Sequence, residues 1–126
     1  MENKTYVLAI SMGAIISLTF FAGVSAVFAS SSTYNCTLAS GGTCGKSYSA
    51  YSLNTYINSN SNSATICAGY QLSGQSPTCA NIVTGGGDDY TGSQQVSISS
   101  YYHNVNGPST TISVTDTYCN CFSPSP

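Results

Sequence analysis

Apolar residues follow two different patterns along this chain. From Tyr6 to Ala29 they form an almost continuous run of about 24 residues with no charged side chain. After Ala29 they alternate with polar residues in short stretches. As a helix, the first run is long enough to cross a hydrocarbon core of ~30 Å, and it exceeds the about 7–15 apolar residues of a secretory signal. Its end reads the other way. Val27-Phe28-Ala29 before Ser30, and Val24-Ser25-Ala26, both place small residues where a signal peptidase cuts. Residues 1–29 are therefore either a signal peptide or a transmembrane or assembly helix. Ala9, Gly13 and Ser17 recur at every fourth position, a stripe of small side chains that lets helices pack closely. Lys4 is the positive charge flanking the run, which predicts a cytoplasmic N-terminus and an exported domain over residues 30–126.

In that domain the period is two. Tyr51, Leu53, Thr55 and Ile57 alternate with polar residues, which predicts a strand over Tyr48 to Ile57. Thr65 to Leu72 alternates again, with Ile66, Ala68, Tyr70 and Leu72 on one side. Ala80 to Val83 is a shorter strand candidate. Ser30 to Thr33, the glycine-containing stretch 39–43, the Asn-Ser repeat 58–63 and Thr84 to Asp89 read as spacers or loops. Val96 and Ile98, then Ile112 and Val114, flank His103-Asn104-Val105-Asn106-Gly107. Asn-Gly is a strong turn signal and predicts a hairpin with Val96 opposite Val114 and Ile98 opposite Ile112. About five or six short strands and no 3.6-residue period after Ala29 predict an all-β domain, a small antiparallel sandwich or barrel-like sheet, preceded by one apolar helix.

Composition narrows what such a sheet can touch. Ser, Thr and Asn make up about two fifths of residues 30–126, and nine of the ten tyrosines lie there. Charge is nearly absent: Lys46, Asp88, Asp89 and Asp116, with His103 the only histidine. Without clustered Lys and Arg the domain cannot neutralise phosphates, which excludes nucleic acid as a partner. A neutral, hydroxyl-rich surface suits contact with copies of itself, with glycans or with solids. Asn35-Cys36-Thr37 fits the N-glycosylation pattern and makes Asn35 a glycosylation candidate.

The six cysteines at 36, 44, 67, 79, 119 and 121 all follow the apolar run. An even number in a small exported domain predicts three disulfides, with 15 pairings open. Cys67 and Cys79 bracket a turn-rich segment and suit a local bridge. Cys119 and Cys121, two apart on an extended strand, would point to one face and reach separate partners, Cys36 and Cys44. The spacings do not suit a structural zinc site.

No constellation for catalysis emerges. His103 is expected in the hairpin loop, where Asp116 could approach it, but no nucleophile is specified by the pattern. Asp88 and Asp89 are adjacent rather than opposed, which does not suit glycoside chemistry, and they are too few acids for calcium. Gly85-Gly86-Gly87 lacks the Lys-Ser/Thr of a phosphate loop. Lys46 could form an isopeptide cross-link only if buried beside an amide and a carboxylate. No cofactor or metal is expected.

A long Ala/Gly/Ser-rich apolar helix followed by a Ser/Thr-rich β domain resembles the plan of archaeal type IV pilins. The resemblance implies apolar helices packed in a filament core and β domains coating it. The chain is also similar in plan to secreted filament subunits that exchange a donor strand, in which case Ser30 to Leu38 would be the donor. The function expected is a structural subunit of an extracellular assembly: a filament, pilus, coat or adhesin. Its partners would be copies of itself, glycans, and a membrane through residues 6–29 if these are retained. A small secreted disulfide-stabilised binding module, or a membrane-anchored viral protein, would share these features.

Overall fold

Side chains pointing alternately inward and outward continue through eight antiparallel strands in a computed structural model, which describes residues 29–121. The strands are β1 (Ser30–Leu38), β2 (Thr43–Cys44), β3 (Ser47–Asn60), β4 (Thr65–Leu72), β5 (Thr78–Ile82), β6 (Gly85–Gly86), β7 (Tyr90–Asn106) and β8 (Thr110–Cys119). The apolar helix and the Ala9, Gly13, Ser17 stripe lie outside the described residues. Strand order is β1-β8-β3-β7-β4-β5, with β2 added on β7 and β6 on β3.

Strand β3 makes this one sheet into two layers. Its first half, Ser47–Leu53, pairs with β7, and its second half, from Ser52 to Asn60, pairs with β8. Bulges at Tyr51 and Asn58 accompany the change of partner, as bulges bend and twist a strand. One layer is then β1, β8, β6 and the end of β3. The other is β2, the start of β3, β7, β4 and β5. Leu38, Ile57, Ile66, Ala68, Tyr102, Ile112 and Val114 fill the space between them, and Ala50, Leu53 and Ile98 form a second cluster at the other end. The all-β antiparallel domain with three disulfides read from the sequence is the one observed.

The alternation places β3 and β4 as expected: Leu53, Thr55, Ile57, Ile66 and Ala68 are buried. The polar stretches behave differently. Ser30 to Thr33 is strand rather than spacer, because Ser31, Thr33 and Thr37 pair their hydroxyls with Thr117, Thr115 and Thr111 of β8. The Asn-Ser repeat continues β3 to Asn60 before turning, and the 84–89 stretch contains β6.

The expected hairpin does not form. Strands β7 and β8 are consecutive, but β3 lies between them. Val96 sits opposite Ala50, Ile98 opposite Tyr48 and Leu72, Ile112 opposite Cys36, and Val114 opposite Tyr34 and Ile57. A two-residue hairpin turn of type I′ needs positive φ at both central residues. Only Gly107 has it here, at 127°, and Pro108 follows with no N–H to give to a ladder. The buried Asn104 carboxamide fixes the alternative path. It donates to the carbonyls of Leu38 (3.2 Å) and Pro108 (3.0 Å) where the chain crosses from one layer to the other.

The bridges are Cys36–Cys44, Cys67–Cys79 and Cys119–Cys121. The local Cys67–Cys79 bridge was the one legible from its turn. Cys119 and Cys121 join each other instead of reaching Cys36 and Cys44, because β8 ends at Cys119 and the two are no longer on one extended strand. Cys36 and Cys44 are brought together by the turn at 39–42, where the Gly42 N–H donates to the Ala39 carbonyl at 2.8 Å. Their bridge fastens edge strand β1 to β2 in the opposite layer.

These placements set the expected cost of each bridge. Replacing Cys67 and Cys79 together by Ser should lower stability by about 3 kcal/mol, from the loop the bridge closes. Cys36 and Cys44 should cost at least as much, since Cys36 is also core. Cys119 and Cys121, closing a tripeptide at the end of β8, should cost about 1–2 kcal/mol. Urea unfolding of the three double variants measures the order.

Candidate functional site

Two regions of the domain carry its polar chemistry: a carboxylate sealed between the layers, and the outer face of the β1-β8-β3 layer above it. Asp116 is inward-facing in β8 and fully buried. Its Oδ1 accepts from the Tyr102 hydroxyl at 2.6 Å. Its Oδ2 accepts from Ser100 at 2.6 Å and from Tyr34 and Tyr48 at 2.7 Å each. Tyr34 comes from β1 in the same layer; Tyr48, Ser100 and Tyr102 come from β3 and β7 in the other. The carboxylate thus ties the layers together through hydroxyl groups alone. Ser100 also takes a hydrogen bond from the Lys46 backbone N–H at 3.0 Å, at the break between β2 and β3.

A carboxylate is an acceptor with about four lone-pair positions, and four donors meet that capacity. Such charge-assisted bonds are roughly twice as strong as neutral ones, which offsets removal of the charge from water. The tyrosines register the same environment. Burial first, and then the hydrogen bond to Asp116, pushes the Tyr102 hydroxyl far above the ordinary tyrosine value. Burial followed by the same carboxylate raises Tyr48, and burial is also the largest cause for Tyr34, where a hydrogen bond between its hydroxyl and that of Ser100, at 2.9 Å, works partly against it.

The expected loop position of His103 and its approach to Asp116 are both corrected. His103 lies within β7, opposite Thr43 and Cys67, and its Nδ1 is 3.2 Å from the Tyr101 hydroxyl. It alternates with the inward-facing Tyr102 and Asn104, so it points away from Asp116. Lys46 is exposed, with its Nζ 4.6 Å from the centre of the Tyr34 ring. Asp88 and Asp89 do not form a metal-ligating cluster with other His, Cys, Asp or Glu among the described residues. Asn35 is exposed on β1, where an attached glycan would point to solvent.

The outer face is set by register. Ser31, Thr117 and Asn54 lie side by side across β1, β8 and β3; Thr33, Thr115 and Tyr56 form the next row. Asn35 and Ser113 make a third with Asn58, the bulged residue, whose Nδ2 donates to Thr115 at 2.9 Å. None of these nine side chains is charged. Pairing across neighbouring strands spaces them by about 4.8 Å in one direction, and alternation by about 6.7 Å in the other.

The class defined by these features is a small antiparallel β-sandwich, stapled by disulfides, with a buried carboxylate and a neutral hydroxyl face. Three disulfides belong to an oxidising compartment such as the cell exterior. Among known proteins, no family model matches the chain and no curated protein is significantly similar to it.

Proposed function

We propose that the protein is a structural subunit of an extracellular surface assembly, a filament, pilus, coat or adhesin, whose copies pack through the β1 side of the outer face. The observation that carries this reading is the uncharged hydroxyl and amide array across β1 and β8. Small domains stay apart in solution largely through net charge and mixed surface charge. This face has neither, and its hydroxyl and amide groups are both donors and acceptors, so one copy complements the next without burying an ion. Among the described residues strand β1 is an open edge of nine residues with no Lys, Pro or bulge, the devices that ordinarily blunt an edge. The apolar run over residues 6–29 supplies either the export signal or an anchoring or assembly helix.

Full-length protein from its producing cells should sediment as a high-mass species and give ordered filaments or lattices by electron microscopy. Thr33→Lys combined with Asn35→Lys should disperse it while leaving the β-sheet circular dichroism unchanged. A wild-type protein that stays monomeric at every concentration overturns the reading. Its intact mass, beginning at either Met1 or Ser30, separates an anchored from a cleaved form.

A further inference from the structure

The other side of the outer face, between β3, β6 and β8, holds a groove of about 440 Å³. Asn54, Tyr56, Asn58, Asp89, Thr115 and Thr117 contribute its side chains, and Gly86 forms one flank. We propose that this groove is a binding site for a neutral glycan, a chain of uncharged hexose rings. The inference does not depend on self-assembly; it needs only the folded domain.

Three observations converge on that ligand. Tyr56 is the most exposed large hydrophobic side chain among the described residues, 53 % accessible, although it lies in the middle of a strand paired on both sides. The neighbouring strand at Tyr56 is β6, where Gly86 has no side chain to cover the ring. A Cβ on Gly86 would lie 3.9 Å from Tyr56 Cδ2, so an ordinary residue there would flank the ring. The glycine run thus keeps the ring open while holding its own backbone down. The Gly87 N–H donates to Thr55 O at 3.4 Å, and the Asp88 N–H donates to Ala68 O at 3.1 Å. An aromatic ring presents a negative face, which suits the weakly positive C–H groups on one side of a pyranose.

The rim supplies what the hydroxyl groups of a sugar need. Asn54 offers its amide and Asn58 its amide oxygen, the Asn58 Nδ2 being engaged with Thr115, while the Thr117 and Thr115 hydroxyls keep the capacity left beyond their bonds to Ser31 and to Thr33 and Asn58. Asp89 is an acceptor held in place through one oxygen. Thr55 N–H donates to its Oδ1 at 3.2 Å, and its Oδ2 has no partner among the described residues. A carboxylate oxygen left free at the edge of an aromatic platform can accept a charge-assisted bond from a sugar hydroxyl.

Charge excludes the competitors. The one lysine among the described residues, Lys46, lies over Tyr34 rather than in the groove. With a carboxylate and no cation, the groove disfavours phosphate, sulfate and uronate groups. One carboxylate is too few for calcium, which takes six to eight oxygens. The class that satisfies ring, amides, hydroxyls and single acceptor together is an uncharged polyhydroxylated ring.

Saturation-transfer NMR on the oxidised full-length protein tests this, whether the protein is dispersed or assembled. The probes are hexasaccharides of glucose, mannose, galactose and N-acetylglucosamine, with a sulfated galactose oligomer for contrast. At least one neutral hexasaccharide should receive saturation, and the sulfated one should not. Tyr56→Ala should weaken that binding at least tenfold, and Asp89→Asn several-fold. Gly86→Gln provides the second variant: φ is not positive there and no atom lies closer than 3.5 Å to the new Cβ, so the fold is kept while the ring is covered. It should weaken binding as much as Tyr56→Ala. No transfer to any neutral hexasaccharide, or transfer unchanged in both Tyr56→Ala and Gly86→Gln, overturns the proposal. Assembly of these variants, followed by sedimentation, is read separately, so loss of glycan binding and loss of polymerisation are distinguishable.

Discussion

Asp116→Ala should be the most damaging single substitution in the domain, costing about 4 kcal/mol, because each buried donor left without an acceptor costs about 1–3 kcal/mol. Ser100 and Tyr102 are buried and would lose their acceptor where water cannot replace it, while the half-buried Tyr34 and Tyr48 would lose theirs nearer solvent, Tyr34 keeping the Ser100 hydroxyl at 2.9 Å. A domain of this size has about 5–15 kcal/mol in total, so the variant should be at the edge of folding even with its disulfides formed. Asp116→Asn should cost less. It keeps one acceptor oxygen but presents an NH₂ group to hydroxyls that now donate. Replacing the carboxylate together with its tyrosine hydroxyls should recover much of the loss, since polar groups removed in pairs leave few unpaired. Asp116→Leu with Tyr34→Phe, Tyr48→Phe and Tyr102→Phe leaves one donor of the cluster without an acceptor, the Ser100 hydroxyl, and should be more stable than Asp116→Ala alone. Urea unfolding of the oxidised proteins measures both. If Asp116→Ala unfolds at the wild-type midpoint, the carboxylate does not hold the layers together.

The same residue shows how much of this protein was legible from its sequence. Asp116 follows Val114 by two positions and so belongs to the inward face, as the alternation of Ile112, Val114 and Asp116 implies. Its partners were not legible, because Tyr34, Tyr48, Ser100 and Tyr102 come from three strands that only the topology brings together. The available signal was an excess of tyrosines on the apolar phase of strands that also carried one acid.

Strand positions were readable where apolar residues alternated, as in Thr65–Leu72, whose limits agree with β4. They were not readable in Ser30 to Thr33. Hydroxyl residues give no hydrophobic period, and here they are held by cross-strand hydroxyl pairs that a single strand cannot reveal. The Asn106-Gly107 signal located a reversal correctly but not its partners. Turn chemistry is local, whereas insertion of β3 between β7 and β8 is decided by the whole sheet. The glycine run at 85–87 looked like a loop from composition. Its residues are instead accounted for by a positive φ at Gly85, an uncovered Tyr56 ring beside Gly86, and a close approach to Ala68 at Gly87. The groove beside Tyr56 was likewise out of reach, since its residues are contributed by β3, β6, β8 and the segment after β6.

Above about pH 10, the domain should lose stability steeply with each further pH unit, and the cause is the same buried cluster. Tyr34, Tyr48 and Tyr102 are raised above the ordinary tyrosine value in the folded state, each with burial as the largest cause. An unfolded tyrosine releases its proton near pH 10, so above that pH the unfolded chain binds fewer protons than the folded one. The stabilisation is therefore complete below about pH 10 and is withdrawn as pH rises towards the folded values. Fully buried Tyr102 should contribute about 1.4 kcal/mol per pH unit; Tyr34 and Tyr48, nearer solvent, should contribute less. Against a total of about 5–15 kcal/mol, this brings alkaline unfolding into the range of about pH 11–13. Tyrosinate absorbance and far-ultraviolet circular dichroism should then change in one shared step, reversible on return to neutral pH. Tyr102→Phe should flatten the pH dependence while lowering stability at pH 7, because its ring still fills the core but Asp116 loses one donor. If Tyr102 instead ionises while the sheet stays intact, the carboxylate and its hydroxyls are open to solvent, and the layers must be held by their apolar contacts and disulfides alone.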